Sequence, residues 1–210
     1  MKQLFFTLGS IVSLLFSPSL LFYFRSARKY FYTGLYKRAF REFGKGSVIN
    51  PSFLMLFGAK YISVGRNCYI GSNVQLSAWD SMALNGSTYI PSIVIGDGTS
   101  IGDESHITAI NKITFGENVL LGKKVLISDN AHGFTSLSNM RTPPLDRKMF
   151  SKGEVVIGNN VWIGEKSSIL ANVHIGEGSI IGANSVVTKD IPAFCVAAGN
   201  PAKVLKTITE

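Results

Sequence analysis

The stretch IGNNVWIGEKSSILANVHIGEGSIIGANSVV, residues 157–187, repeats itself every six residues. An aliphatic side chain opens each unit (Ile157, Ile163, Ile169, Ile175, Ile181, Val187), glycine usually follows, and a small or β-branched residue stands four places on. Helices repeat every 3.6 residues and strands every two, so this period belongs to neither alone. The same unit runs N-terminally: VGRNCY (64), IGSNVQ (70), LSAWDS (76), IGDGTS (95), IGDESH (101), ITAINK (107), FGENVL (115), LGKKVL (121) and ISDNAH (127). Fifteen units result, all but Phe115 led by an aliphatic residue and ten with glycine second, which specifies a parallel β-helix of hexapeptides.

The period carries its own physics. Each hexapeptide supplies a short strand and a corner, and three make a triangular coil. The leading residue points inward and stacks on its equivalents about 4.8 Å above and below. Glycine at the second position is expected to relieve unusual backbone angles at a crowded corner. The fifth position (Thr99, Ser105, Val119, Val125, Val161, Ser167, Val173, Ser179, Ser185) faces the narrow interior and must be small. Cys68 and Ala131 fall in that register, so Cys68 reads as a core residue rather than a nucleophile. One coil cannot bury its own apolar face, whereas stacked coils can.

Two interruptions break the array, residues 79–94 with Trp79, Asp80 and Pro91, and residues 133–156. The second is a long loop with Pro143, Pro144, Arg141, Asp146, Arg147, Lys148 and Lys152; loops of that length are usually functional. The reading divides the chain into a hydrophobic, basic segment (1–46, helical), a β-helix (47–193) and a short C-terminal extension (194–210).

The chain carries a net charge of +8, but residues 1–46 hold eight Lys/Arg against one acidic residue, Glu42. The body is close to neutral. The basic segment lacks a nucleic-acid reading motif and is apolar over its first half, which argues against a nucleic-acid partner. Leu4 to Phe24 contain no charge, and 21 residues are enough for a membrane-spanning helix. The cationic, aromatic flank from Arg25 to Arg41 suits an anionic cytoplasmic leaflet. Membrane association, spanning or in-plane, is the favoured reading. A pair of hydrophobic helices broken near Pro18 and packed on the body is the second. A cleaved signal is the third, with Arg25 and Arg28 standing where its cleavage site would fall. Cys68 and Cys195, far apart and without CxxC spacing, exclude a disulfide framework and indicate a reducing compartment.

The hexapeptide array, SDNAHGF (128–134), VVIGNNVWIG (155–164) and the ending IIGANSVVTKDIPAFCVAAGNPAKVLK (180–206) resemble the hexapeptide-repeat acyltransferases. Within them the chain is most similar to sugar O-acetyltransferases acting on galactosides, maltose, lipopolysaccharide and capsule. The resemblance covers about residues 61–206. It implies an all-β, left-handed parallel β-helix, a homotrimer, and acetyl-CoA as cosubstrate bound between subunits. It places His132 as the catalytic base, because a sugar hydroxyl must lose its proton to attack a thioester and neutral imidazole accepts it near pH 7. It also places Trp162, Gly164, Gly182, Ala183, Thr188, Lys189, Lys203 and Lys206 around the coenzyme.

The acceptor pocket does not carry over. Where galactoside-type enzymes hold an asparagine and acidic residues, this chain has Gly102, Ala109 and Ile110. Glu104, His106, Asn111 and Asn130 are the polar candidates for binding the acceptor. The basic N-terminal segment fits a lipid-linked sugar acceptor in envelope polysaccharide or lipopolysaccharide synthesis, at the inner face of the cytoplasmic membrane. N-acetylation of an amino sugar is the alternative within this class. A γ-carbonic-anhydrase-like zinc hydro-lyase is the alternative of another class, because His106, His132 and His174 each close a hexapeptide. Those enzymes draw two histidines from close in sequence, whereas these are 26 and 42 residues apart. The reading therefore assigns no metal site. A passive structural β-helix would leave His132 and the coenzyme-like ending without a purpose.

Overall fold

In the computed structural model, which describes residues 1–15, 18–80 and 88–209, the chain winds through three parallel sheets in turn. The first contains Glu42–Phe43, Ile62–Val64, Ser92–Ile95, Lys112–Phe115, Val155–Ile157 and Val173–Ile175. The second contains Val48–Ile49, Tyr69–Ile70, Ser100–Ile101, Leu120–Leu121, Trp162–Ile163, Ile180–Ile181 and Cys195–Gly199. The third contains Phe53–Phe57, Val74–Ala78, His106–Ala109, Leu126–Ser128, Ser168–Ile169 and Val186–Val187. The fold is thus an all-β parallel helix with an N-terminal helical segment.

All fifteen leading residues lie in register and are buried. Leu76, Ile107, Ile127, Ile169 and Val187 form one such column, with backbone partners shared from coil to coil. Burying each aliphatic side chain is worth about 1.5–3 kcal/mol. The fifth-position hydroxyls are buried but not idle. Thr99 Oγ1 donates to the Gly116 carbonyl at 3.0 Å and accepts from the Val119 N–H at 3.2 Å. Ser105 bridges Gly122 and Val125 in the same way.

The structure corrects the role of the second-position glycines. The left-handed backbone falls on the fourth position instead, at Asn67, Asn73, Glu104, Asn118, Lys124, Asn160, Lys166, Asn172 and Asn184. Asparagine tolerates that region best among residues with a Cβ, which explains its prevalence. Glycine is required at the second position because the neighbouring coil passes too close. A Cβ on Gly164 would stand 2.5 Å from the Ala183 nitrogen, and one on Gly122 would stand 2.7 Å from that of Glu165.

The β-helix also extends beyond the limits read from the repeat. Its first coil begins at Glu42, within the segment assigned to 1–46, and Cys195–Gly199 continues the second sheet past residue 193. Phe53–Phe57 and Cys195–Gly199 lack the I-G opening, so the repeat pattern alone does not reveal them. The long loop ends sooner than 156, because Val155 is buried in the first sheet beside Ile113. Ala131 leaves the fifth-position register altogether and is exposed. Much of the interruption at 79–94 lies outside the described residues.

Two helices precede the first coil, α1 (Lys2–Leu15) and α2 (Pro18–Tyr36). The end of α2 covers the first coil. Thr33 Oγ1 accepts the Ile49 N–H at 2.9 Å, and the Tyr32 hydroxyl accepts the Phe53 N–H at 2.8 Å. Those donors would otherwise lack partners, since no coil precedes them. Tyr32, Tyr36 and Phe53 pack as an aromatic cluster above the core. At the other end Ala202–Thr207 pairs antiparallel with Cys195–Gly199. Among the described residues no helix is long and apolar enough to cross a membrane.

Candidate active site

The site forms where the chain leaves the β-helix after the third-sheet strand Leu126–Ser128. Asp129 turns inward and is fully buried, while Ala131–His132 swings outward and pairs antiparallel with Met149–Phe150 from the long loop. The carboxylate of Asp129 accepts the N–H groups of Ile110 and Asn111, each at 2.9 Å, and so ties this turn to the previous coil. Burial pushes its carboxyl above the ordinary value, with these N–H donors pulling the other way. Asn130 Nδ2 donates to the carbonyl of Thr108 at 3.0 Å. His132 is therefore held between two fixed points, the Asp129 turn and the strand partner Met149.

A cleft of about 350 Å³ opens here, lined by Met55, Gln75, Trp79, His106, Thr108, Asn130, His132 and Met149. Volumes from about 300 Å³ suit small ligands. Three residues singled out from the sequence, His132, His106 and Asn130, thus share one cavity. His106 is half-buried, and desolvation lowers its pKa, which favours the neutral imidazole. Two other candidates stand elsewhere. Glu104 is exposed at a corner and pairs with Lys124 at 3.5 Å, and Asn111 is engaged through its N–H by Asp129. Neither lines the cleft.

A second groove of about 520 Å³ runs on the other side of Asn130, lined by Ser128, Asn130, Ala131, Phe150, Lys152, Leu170, Ala171, Asn172 and Thr188. Phe150 is stacked on Phe134 at 3.7 Å between ring centroids, which stiffens the wall formed by the long loop. Thr188 is the one predicted coenzyme residue in this groove. Trp162, half exposed, projects from the second sheet; Gly164, Gly182 and Ala183 lie at the corners that follow that sheet. Lys203 and Lys206 are exposed on the terminal antiparallel strand, and Lys189 is exposed beside Thr188. One chain therefore spreads these residues over two regions.

Residues 154–189 match the family model "Bacterial transferase hexapeptide (six repeats)". The chain is 40% identical over 148 residues to WbbJ of Escherichia coli (strain K12), named for O-acetyl transfer in lipopolysaccharide biosynthesis. That match covers 69% of this chain and 71% of WbbJ. The chain belongs to the hexapeptide-repeat acetyltransferases. It is also 30% identical over 181 residues to the galactoside O-acetyltransferase of the same organism, covering 84% of this chain and 68% of the relative. A galactoside acetyltransferase structure in complex with coenzyme A superposes with a TM-score of 0.57 at 33% identity, over 73% of this chain and 66% of that one. The N-acyltransferase AntD from Bacillus cereus shares the fold, with a TM-score of 0.68 at 21% identity over 84% and 88% of the two chains.

Against that family background, several lining residues had no sequence signal. Met55 and Gln75 lie in coils one and two, and Met149 comes from the loop. No motif marks them, and only the stacking of coils brings them beside His132. Thr108 sits on the third sheet two residues after His106, and an alternation argument along that strand would have found it. The three histidines do not converge within one chain. His174 lies on the first sheet, 3.5 Å from Asp190, and His106 on the third. Among the described residues of one chain, no three His, Cys, Asp or Glu side chains are placed to share a metal ion.

Proposed function

We propose that this acetyltransferase moves the acetyl group of acetyl-CoA to a hydroxyl of a sugar in cell-envelope polysaccharide or lipopolysaccharide synthesis. The observation that carries the reading is His132, exposed on a braced turn and lining the cleft, with the groove on the other side of its neighbour Asn130. His132 takes the proton of the sugar hydroxyl as its oxygen attacks the thioester carbonyl. The tetrahedral intermediate then expels the coenzyme A thiolate, which recovers the proton from the imidazolium. A ternary complex suffices, and no acyl-enzyme is needed. The same geometry would deliver an acetyl group to an amino sugar, and the AntD likeness in fold keeps N-acetylation as the second reading.

The groove at Thr188 and Lys152 would take the pantetheine arm. Trp162, Gly164, Gly182, Ala183, Lys203 and Lys206 would come from a neighbouring copy, since one chain holds them apart from Thr188. Leu120 and Trp162 form an exposed apolar strip on the second sheet that suits packing against another copy. This supports a homotrimer of left-handed β-helices with three sites between subunits. Calorimetry should show saturable acetyl-CoA binding, one molecule per subunit, on a particle of three chains by sedimentation, with zinc absent from the sample. A folded protein that binds no acetyl-CoA, or one that carries stoichiometric zinc, would overturn the assignment.

The N-terminal segment supports work at the cytoplasmic face of a membrane. Helix α1 has 14 residues, about 21 Å at 1.5 Å per residue, short of a ~30 Å hydrocarbon layer. Leu4, Phe5, Phe6, Leu8, Ile11 and Val12 are all exposed, and Arg25, Arg28 and Lys29 follow. Such a segment lies in the interface plane rather than across it. The protein is expected to float with phosphatidylglycerol vesicles and to stay behind with phosphatidylcholine alone. Equal behaviour with both would remove the electrostatic part of this argument, and no flotation with either would remove all of it.

A further inference from the structure

The cleft beside His132 has a composition that bears on which sugar it accepts. Among the described residues, the eight that line it include no Asp, Glu, Lys or Arg. One wall is aromatic and rigid. The Trp79 ring is stacked on Phe57 with centroids 4.4 Å apart and planes 26° from parallel. Its indole Nε1 donates to Thr108 Oγ1 at 3.2 Å, and its backbone N–H donates to the Ala109 carbonyl at 2.8 Å. Thr108 is itself held by Asn130, the neighbour of the Asp129 turn. The tryptophan is thus fixed on one face, along one edge and at its backbone, with its polar atom already satisfied. What remains for a ligand is apolar surface. Met55 and Met149 extend that surface, while Gln75, His106, Asn130 and His132 supply the polar contacts.

We propose that the acceptor site selects an uncharged sugar ring and that Trp79 is its specificity wall, packing against the C–H face of the ring while Gln75, His106 and Asn130 bind its hydroxyls. A pyranose has such a face wherever its axial positions carry hydrogen, and a 6-deoxy sugar adds a methyl group. A carboxylate or phosphate on the same ring would enter a cleft to which the described residues of this chain bring no Lys or Arg, and would lose hydration without a permanent cation to pair with, which is costly. The geometry therefore assigns uronic acids, sialic acids and ring phosphates to the rejected class. Any phosphate of a lipid carrier lies outside this cleft. This inference rests on the sugar-acetylation reading above.

The test compares kcat/KM for a panel of methyl hexopyranosides, including 6-deoxy members, with that for methyl hexuronides of matched configuration. Neutral members should be preferred by on the order of a hundredfold or more, as expected for an unpaired buried charge. Trp79→Ala should raise KM for the neutral acceptor about tenfold or more, the loss of one aromatic wall, with KM for acetyl-CoA unchanged. Trp79→Phe keeps an aromatic ring while losing the bond to Thr108 and part of the stacking surface, and should retain most of the acceptor affinity. It also serves as the variant to read if the alanine protein does not fold. Uronides turned over as well as neutral sugars would overturn the charge selection. Trp79→Ala with unchanged acceptor KM, or a rise in both KM values alike, would overturn the wall. A wild-type enzyme that binds acetyl-CoA but acetylates no saccharide in the panel would overturn the underlying sugar reading, and this inference with it.

Discussion

His132→Ala is expected to lower acetyl transfer by about 10²–10⁴-fold, the usual contribution of a positioned general base, while acetyl-CoA still binds. The turn that carries His132 is built by other atoms. Asp129 anchors it through Ile110 and Asn111, and Asn130 through Thr108, so removing the imidazole leaves the cleft standing. Its side chain is also exposed, so truncation creates no core cavity. The measurement pairs steady-state turnover with calorimetric titration of acetyl-CoA on the same preparation. A variant that keeps near-wild-type turnover would remove His132 from the reaction. A variant that loses acetyl-CoA binding as well would make it a structural residue.

The second large effect is on stability. Asp129→Ala removes both oxygens that satisfy the buried N–H of Ile110 and the half-buried N–H of Asn111. Each stranded donor costs about 1–3 kcal/mol, so the variant should lose on the order of 3 kcal/mol. For a chain of this size that lowers the melting temperature by roughly 6–12 °C. Turnover should fall too, because the His132 turn, between coils four and five, loses its tie to the turn after coil three. The sign of the pH effect is distinctive. The folded state holds the Asp129 proton more tightly than an unfolded chain, whose value is near 3.8. Its titration contributes stability that is fully present below that value and is lost as pH rises through the higher folded value. Denaturant midpoints measured from acid to neutral pH should show this component in the wild type and not in Asp129→Ala. An alanine variant as stable as the wild type across that range would show that the carboxylate carries none of this load.

How far the sequence could be read depended on whether a position answers to its own coil or to another part of the chain. Ile107, Ile127 and Ile169 face inward because each strand must bury one face, and a six-residue period states that directly. The glycines were legible as obligatory but for another reason than the one inferred. Their constraint is the next coil, sixteen or more residues away in sequence, while the left-handed corners fall two places later, most often to asparagine. His132 was singled out by the resemblance of SDNAHGF to the family motif, which closes a unit just before the array breaks. Met55, Gln75 and Met149 were not, because nothing local distinguishes an outward methionine that lines a cleft from one that faces water. The charge-free run of 21 residues fits a bilayer by length alone, and its described residues belong to α1 (Lys2–Leu15) and the first part of α2 (Pro18–Tyr36).

The hydroxyls of Tyr32 and Thr33 and the reversed strand Ala202–Thr207 have a consequence beyond the single molecule. A column of parallel strands is an open template at both ends, and identical columns would add to one another end on end, as fibrils do. At the leading end side-chain oxygens occupy the N–H groups on which another copy's strands would dock. At the trailing end the second sheet finishes in a strand running the wrong way for another parallel coil. Both devices oppose end-on addition of another copy at these strands and leave the sides of the column as the surface through which copies could meet.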